Sequence, residues 1–390
     1  MAGVGLGIGG VISSAVVDAW RDGRPRHARR AAGTVIVFPQ PRSTVPRPAR
    51  STPREPPLLD PRDVYAADRP NRLSRVVRRV PTRVYVPNGR DGTVDVIDPL
   101  RYRVVAHFAT GALPQHVTPA YDMRRLWVTN DAGNSLTPIN PRTGKPGHPV
   151  AVEEPYNLYF TPDGRFAIVV AEARARLDFR DAHTMRLHHS LHVDCAGIDH
   201  MDFTADGRYL LASCEFSGEM VKVDVQREAV VAKLSLGRGM PQDVKLSPDG
   251  RVFYVADMAA NGVWLIDARR LRLLGLRRTG AGAHGLYVSR DSRYLYVSNR
   301  GEGSISLISV RSRRPVRKWR IPGGGSPDMG GVSADGRVLW LTGRYNAEVY
   351  AIDTRSGRLL HRIRVGNGPH GLAIFPQPGR YSLGHTGVFR

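Results

Sequence analysis

The stretch Leu295-Tyr296-Val297-Ser298-Asn299 is the clearest copy of a short β run that recurs seven times in this chain. Each copy opens a longer pattern of 41 to 44 residues, and the seven patterns start at Arg83, Arg125, Phe166, Tyr209, Val252, Tyr294 and Val338. Self-similarity at a fixed period of this length is the sequence signature of solenoids, propellers and other repeat architectures. The repetition therefore determines the architecture of most of the chain.

Each repeat contains four short apolar runs separated by turns rich in Gly, Asp and Pro, such as Ser247-Pro248-Asp249-Gly250-Arg251. Such runs and turns predict a four-stranded antiparallel meander. One meander cannot bury both of its faces, whereas a radial array stacks the sheets face to face and leaves only short edges. The 41 Gly and 29 Pro residues argue against a helical solenoid of similar period. The predicted fold class is therefore all-β, a seven-bladed β-propeller over residues 81–390.

Three features of the repeat resemble the YVTN family of β-propeller proteins. They are the openings of the Tyr-Val-x-Asn type, strands such as Val96-Ile97-Asp98, and the Ser-Pro-Asp-Gly-Arg turns. The resemblance covers about residues 80–390 and implies the propeller fold, but it implies no single activity because propellers host many. Repeat 3 departs most from the pattern, since Glu172-Ala173-Arg174-Ala175-Arg176 replaces the usual turn that contains glycine.

The frame of the repeat predicts how the ring closes. In propellers of this type the innermost strand of a blade precedes the Tyr-Val-x-Asn strand, yet the first repeat begins at Arg83 without such a strand. The unassigned run Pro369-His370-Gly371-Leu372-Ala373-Ile374 is expected to complete the blade of residues 83–108. This pairing of the N- and C-terminal strands would remove two free sheet edges at once.

Residues 1–80 precede the ring and differ from it in composition. They hold 15 Arg and no Lys against 6 acidic residues, a net charge of +9, and they show no apolar periodicity. This Arg/Pro-rich segment is expected to be disordered or loosely packed, and dispensable for folding. The run from Ala2 to Trp20 is similar to the apolar region of a signal peptide, but no basic residue precedes it. Relatives of the family are often exported, which favours the cell envelope or secretion, with the cytoplasm as the alternative.

The chain is strongly basic, with a formal charge of +22 and an isoelectric point near 10.8. This balance predicts contact with polyanions such as nucleic acid, anionic lipid or acidic wall polymers through the Arg-rich surface. The alternative explanation of the basic charge is a codon bias that favours arginine, with the arginines spread over solvated loops. No aromatic residue interleaves basic clusters such as Arg311-Ser312-Arg313-Arg314, so nucleic-acid binding would be non-specific. No run of 18 apolar residues lies in the propeller, which predicts no membrane span.

The main functional signal comes from superposing the seven repeats. Just before the innermost strand, each repeat carries two residues that open the central channel, and equivalent positions of a radial repeat converge on one axis. The pairs are Gln115-His116, Tyr156-Asn157, Asp199-His200, Gln242-Asp243, His284-Gly285, Asp328-Met329 and His370-Gly371. The predicted ligand-binding residues at this channel mouth are His116, Asn157, Asp199, His200, Asp243, His284, Asp328 and His370, with Arg300 and Arg344 from neighbouring turns.

One sector of the mouth, in repeats 3 to 5, combines thiol, imidazole and carboxylate groups. These groups are ligands of transition metals such as copper, zinc or iron. The predicted metal ligands are Cys195, His200, Cys214, Asp243, Asp257 and His284. In the alternative interpretation, His and Asp satisfy backbone groups of loops, and the two cysteines form a disulfide or are small buried residues.

Two functions from different classes therefore stand. The first is a binding or scaffold propeller that recognises a small molecule or a protein at the channel mouth. The second is a metal-binding protein, or a hydrolase or oxidoreductase in which the same groups supply a base and a nucleophile. The sequence contains no nucleophile elbow, P-loop or dinucleotide fingerprint that would favour a particular enzyme.

Overall fold

The computed structural model describes residues 30–38, 56–385 and 390. Its strands form seven antiparallel sheets of at least four strands, which are the seven blades of the predicted propeller. Helical structure in the described ranges is limited to the 3-10 turn Ala66–Asp68. No helix in this part of the chain is long and apolar enough to cross a membrane.

The blades are numbered in chain order, and their strands are given from the channel outward. Blade 1 consists of Ala373–Phe375, Arg83–Asn88, Thr93–Asp98 and Arg103–Ala109. Blade 2 consists of Pro114–Pro119, Leu126–Asn130, Ser135–Asn140 and a divided outer strand, Lys145–Pro146 and Val150–Ala151. Blade 3 consists of Asn157–Phe160, Phe166–Ala171, Arg176–Asp181 and Leu187–His192.

The remaining blades follow the same order. Blade 4 consists of Ile198–Phe203, Tyr209–Cys214, Glu219–Asp224, Ala229–Ser235 and a fifth strand, Val35–Val37. Blade 5 consists of Pro241–Leu246, Val252–Asp257, Gly262–Asp267 and Arg272–Arg278. Blade 6 consists of Ala283–Val288, Tyr294–Asn299, Ser304–Ser309 and Arg314–Arg320. Blade 7 consists of Pro327–Val332, Val338–Gly343, Glu348–Asp353 and Leu359–Arg364.

Burial falls from the channel outward, as a stack of radial sheets requires. The second strands are buried along almost their whole length, as in Val252–Asp257, because the neighbouring blades cover both of their faces. The outermost strands face solvent, and in Arg314–Arg320 only Trp319 is buried. The apolar residues of the repeat therefore form the interfaces between blades, and most arginines of the outermost strands lie on the outer surface.

The ring closes as the repeat frame predicts. The C-terminal strand Ala373–Phe375 pairs with Arg83–Asn88, so that Val84 faces Ile374 across the ladder and Tyr85 faces Ala373. Val84 and Ile374 also belong to a buried cluster with Trp340 of blade 7. The pairing of the chain's two ends is thus part of the apolar interface between the last blade and the first.

Segments from both ends of the chain lie across one end of the channel. Residues 56–80 dock on the ends of the innermost strands, where the Tyr65 hydroxyl donates to the Leu246 carbonyl at 2.9 Å and the Val64 amide donates to Pro248 at 2.8 Å. The tail after the closing strand docks beside them, with the Ser382 hydroxyl on the Pro119 carbonyl at 3.1 Å. The channel is therefore capped at this end.

The docking of residues 56–80 differs from the disorder or loose packing expected for residues 1–80. Val64, Tyr65 and Val77 supply enough apolar surface to anchor an otherwise polar segment, and all three are buried. Residues 30–38 also contact the ring, because Val35–Val37 pairs with the outer strand of blade 4. The rest of the predicted tail, residues 1–29 and 39–55, lies outside the described residues.

Candidate functional site

The paired residues that open the innermost strand occupy a β-bulge in five of the seven blades in the described part of the chain. In blades 2, 4, 5, 6 and 7 the register between the innermost and second strands shifts at this point. In blade 4, for example, Ile198 pairs with Cys214, but the next paired residue is Met201, so Asp199 and His200 lie outside the regular ladder. A bulge redirects side chains away from the sheet. The structure thus brings these residues into the channel by a shared local irregularity.

A hydroxyl group from the second strand holds the bulge in four blades. In blade 4 the Ser213 hydroxyl accepts a hydrogen bond from the His200 amide at 3.1 Å and donates to the His200 carbonyl, also at 3.1 Å. The equivalent residues are Thr129, Ser298 and Thr342, at the third position of the Tyr-Val-x-Asn motif. This role is not among the predictions from the sequence, although the hydroxyl that recurs at one repeat position is its signal.

Replacing Ser213 with Ala should destabilise the protein by about 1–3 kcal/mol, because a buried amide and carbonyl lose their partner. Chemical denaturation, followed by circular dichroism, measures this change in the free energy of unfolding. The matched control is Ser312→Ala on the exposed surface, for which a change within about 0.5 kcal/mol is expected. Equal stability of the two variants would show that Ser213 does not hold the bulge.

Three histidines converge in the channel: His116, His200 and His385. Each offers one ring nitrogen, and the three nitrogens all lie within 4.8 Å of one another. The rings of His116 and His385 are 3.9 Å apart at their centroids, and those of His200 and His385 are 5.0 Å apart. All three side chains are buried. We refer to these residues as the histidine cluster.

His385 comes from the C-terminal tail and has no equivalent in the repeats. The tail runs along the innermost strand of blade 3, where the Phe160 amide donates to the Leu383 carbonyl at 3.0 Å and Tyr159 pairs with Gly384. Gly384 has a φ of +109°, and a Cβ at this position would lie 2.5 Å from the Leu158 carbonyl oxygen. Glycine therefore allows the tail to approach the strand closely enough to place the next residue, His385, in the channel.

The histidine cluster contains several buried nitrogens without a hydrogen-bond partner in the described residues. They are both ring nitrogens of His116 and the Nε2 atoms of His200 and His385. The Asp199 carboxylate lies 3.2 Å from His200 Nε2, but it is not aligned for a hydrogen bond. An unsatisfied buried polar group costs about 1–3 kcal/mol. A cluster of this kind therefore lowers the stability of the fold unless a ligand satisfies its nitrogens.

Burial keeps the cluster neutral. It lowers the pKa of His200 to about 3, with a smaller contribution from the positive charge of Lys245. It also lowers the pKa of His116 and of His385 well below the usual range, and neighbouring imidazoles add to this effect. Neutral imidazole is the form that binds metal ions. The cluster is therefore in its metal-binding form throughout the physiological pH range.

The stability of the metal-free protein should depend on pH through His200. Below pH 6.5 His200 is protonated in the unfolded chain, whereas in the folded protein it stays neutral down to about pH 3. The free energy of unfolding therefore falls by about 1.4 kcal/mol per pH unit as the pH is lowered through this range. The His200→Gln variant lacks this loss, so its stability relative to the wild type should rise between pH 6 and pH 4. Denaturant titrations at several pH values, with exposed His148→Gln as control, measure the trend; a flat difference would contradict it.

His284 and His370 form a second arrangement, centred on Asp328. The Asp328 carboxylate contacts His284 Nδ1 at 3.1 Å and His370 Nδ1 at 2.8 Å. Arg300 donates to the same carboxylate at 3.1 Å, and Arg344 Nε lies 4.0 Å from it. Burial opposes ionisation of Asp328, but His284 and the two arginines hold its pKa below the usual range. These two histidines are therefore satisfied by a charged partner, unlike the histidine cluster.

The metal-ligand set predicted from the sequence is not gathered in the structure. Cys195 and Cys214 form a disulfide, so in this state neither offers a thiolate. Asp257 points into its own turn, where it accepts hydrogen bonds from the Met240 and Ala260 amides and from the Trp264 indole at 2.8–2.9 Å. Asp257, predicted as a metal ligand at the mouth, thus stabilises a turn instead.

Two other predicted residues have supporting contacts. Asn157 Nδ2 lies 3.0 Å from His200 Nδ1, and the Tyr159 hydroxyl lies 3.2 Å from the same nitrogen, so both orient the His200 ring. Asp243 accepts a hydrogen bond from the Leu286 amide at 2.9 Å and links blades 5 and 6. Burial raises the pKa of Asp243 to about 6.

Comparisons with known proteins identify the fold and the family. A family model described as YNCE-like beta-propeller matches residues 73–379. No curated protein matches the chain. Among solved structures, the periplasmic gluconolactonase PpgL of Pseudomonas aeruginosa has a TM-score of 0.64 at 20% identity, over 76% of this chain and 99% of that chain. AztD from Citrobacter koseri, solved in the apo form, has a TM-score of 0.55 at 12% identity, over 77% and 99%.

A third solved structure, the hydrazine synthase of Kuenenia stuttgartiensis, has a TM-score of 0.58 at 19% identity, over 70% of this chain and 92% of that chain. These neighbours have different functions. At such identities the similarity extends to the fold alone, because one fold supports many functions. The chemistry of this chain has to be argued from the residues of its own channel.

Proposed function

This chain belongs to the YNCE-like β-propeller family, and we propose that it binds a transition-metal ion through three side chains of its channel: His116, His200 and His385. One observation carries this proposal: three buried imidazoles from different segments converge, and each has a ring nitrogen without a hydrogen-bond partner in the described residues. Imidazole suits zinc, copper, iron and nickel.

The geometry of the histidine cluster fits such an ion after a small adjustment. Bonds from zinc to imidazole nitrogen are about 2.0–2.1 Å long, so two ligands of one ion are at most about 4.2 Å apart. The nitrogens of the cluster lie within 4.8 Å of one another, so a modest rotation of the rings would close it around an ion. Three protein ligands leave at least one coordination position open for water or a further ligand.

Buried carboxylates near the histidine cluster would offset the charge of a bound cation, against the opposing charges of Lys245 and Arg344. Three neutral imidazoles do not compensate a divalent ion, but Asp199, Asp243 and Asp328 are buried in the same channel. Neither oxygen of Asp199 accepts a hydrogen bond of normal geometry within the described residues, although the Tyr156 hydroxyl lies near enough to lower its pKa slightly. Burial and the negative charge of Glu215 raise this pKa well above the usual range. A bound cation would relieve that cost.

The Cys195–Cys214 disulfide supports a proposal about location. Structural disulfides persist in oxidising compartments and are rare in the cytosol of mesophiles. The bond joins Cys195, just before the innermost strand of blade 4, to Cys214 at the end of the second strand. Asp199 and His200 open the same innermost strand. We therefore favour the cell envelope or secretion over the cytoplasm. Contact with a polyanion through the Arg-rich surface stays a prediction.

Metal analysis of protein produced without a histidine tag tests the proposed function. Elemental analysis after dialysis against zinc, copper, nickel or cobalt should give about one ion per chain, which a strong chelator removes. Cobalt would add visible absorption bands that report coordination by nitrogen. Substoichiometric metal for every ion tested would overturn the proposal.

A further inference from the structure

The turns that follow the second strands form a ring of equivalent positions around the open channel mouth. Each position is the first residue after a second strand, so the seven residues face the same rim. In the order of the blades they are Gly89, Asp131, Glu172, Glu215, Met258, Arg300 and Arg344. Three consecutive blades thus contribute carboxylates, and two blades on the other side of the ring contribute guanidinium groups. We refer to these residues as the rim.

The two charged halves of the rim do not neutralise each other directly. In the described part of the chain, no arginine nitrogen of the rim lies within 4.0 Å of a rim carboxylate; Arg300 and Arg344 instead face Asp328. Arg300 is nevertheless close enough to the acidic half to oppose the rise in the pKa of Glu215. The opposite charges of the rim are therefore unpaired with each other in the described residues.

Each half of the rim has a buried polar group with unused hydrogen-bonding capacity. On the acidic side, Asp199 is fully buried just below the rim, and neither of its oxygens accepts a well-formed hydrogen bond in the described residues. On the basic side, Arg344 Nη1 is buried without an acceptor. Unused donors and acceptors of this kind are the groups that a ligand satisfies on binding.

The acidic half is also poorly solvated. Burial raises the pKa of Asp131 to about 6, and it raises the pKa values of Glu172 and Glu215 as well, with Asp199 adding to the effect on Glu172. Clustered carboxylates in such surroundings favour a positively charged group between them. The opposite half, with two guanidinium groups, favours a carboxylate, which arginine can hold through two parallel hydrogen bonds.

We propose that the rim binds a small zwitterion, an α-amino acid or a short peptide, with its ammonium group on the acidic half and its carboxylate on Arg300 and Arg344. A simple anion would meet three carboxylates, and a simple cation would meet two guanidinium groups. Only a ligand that carries both charges is complementary to both halves. The rim residues are not members of the histidine cluster, although Asp199 lies next to both, and the proposal does not require a bound metal.

Calorimetric titration of the metal-free full chain, in the presence of a chelator, tests the proposal. The probes are a panel of L-amino acids and dipeptides, each compared with its N-acetyl derivative, which lacks the ammonium group, and its amide, which lacks the carboxylate. At least one zwitterion should bind, and each of its two derivatives should bind about ten- to hundredfold more weakly, since each loses one charge-assisted contact.

Two substitutions locate the binding. Glu172→Gln and Arg344→Gln should each lower the affinity for the zwitterion by about tenfold or more. The control is Arg293→Gln, an exposed residue at the capped end of the channel, which should leave the affinity unchanged. Thermal melting of each variant shows that it is folded. The proposal is overturned if no zwitterion of the panel binds at millimolar concentration, if the N-acetyl derivative or the amide binds as tightly as the parent, or if Glu172→Gln and Arg344→Gln both retain full affinity.

Discussion

Replacing His385 with Ala should abolish metal binding and leave the propeller folded. His385 lies in the tail after the closing strand and not in a blade. Its side chain belongs to the histidine cluster, and its replacement leaves the strands of the blades unchanged. Removing one of three ligands should lower the affinity by at least about two orders of magnitude, since even residues that only support a ligand change it by 10- to 100-fold. Isothermal titration with zinc, together with elemental analysis, measures the loss.

His116→Ala provides an independent version of the same experiment from a different segment of the chain. Both ring nitrogens of His116 lack a partner in the described residues, so its removal should change the stability of the metal-free protein little. The control is His148→Ala, an exposed residue far from the cluster in sequence, which should bind zinc like the wild type. If His116→Ala and His385→Ala bind zinc normally but melt at lower temperature, the histidine cluster is structural.

Removing residues 366–390 should prevent the ring from folding cooperatively. The truncation deletes the strand Ala373–Phe375 and leaves Arg83–Asn88 as an exposed edge. It also removes Leu372, Ile374 and Phe375, which are buried. Substitutions of single large core residues by Ala cost about 2–5 kcal/mol each, while a whole domain is stable by only about 5–15 kcal/mol. Calorimetry should therefore show no cooperative transition, or a melting temperature lower by more than about 10 °C.

A shorter truncation separates closure of the ring from the contribution of the tail. Deleting residues 378–390 keeps the closing strand but removes His385, together with the buried side chains of Tyr381 and Leu383. This variant should still unfold cooperatively, at a moderately lower temperature, and should not bind zinc. A normal melting temperature for the chain that lacks residues 366–390 would contradict the closure of the ring through its two ends.

The residues of the channel could be predicted from the sequence only where they repeat. His116 and His200 share the second position of the opening pair, and His284 and His370 share the first. The structure brings their rings together: those of His116 and His370, for example, lie 4.7 Å apart at their centroids. The two histidines at the second position have unsatisfied nitrogens and the two at the first position contact Asp328, but the sequence does not show this contact. It depends on which neighbouring blade supplies a carboxylate, and only the packed ring shows this.

The sequence by itself determined the number of blades, their four-stranded form and the closure of the ring, because these depend on local turns and on an alternation of apolar residues that every copy repeats. The tertiary structure alone decided what lies outside the repeat: the docking of residues 56–80, the Cys195–Cys214 disulfide and the position of His385. Each of these depends on contacts between residues distant in the chain that occur only once. A single contact of this kind leaves no pattern in the sequence, since its partners become neighbours only when the ring has formed.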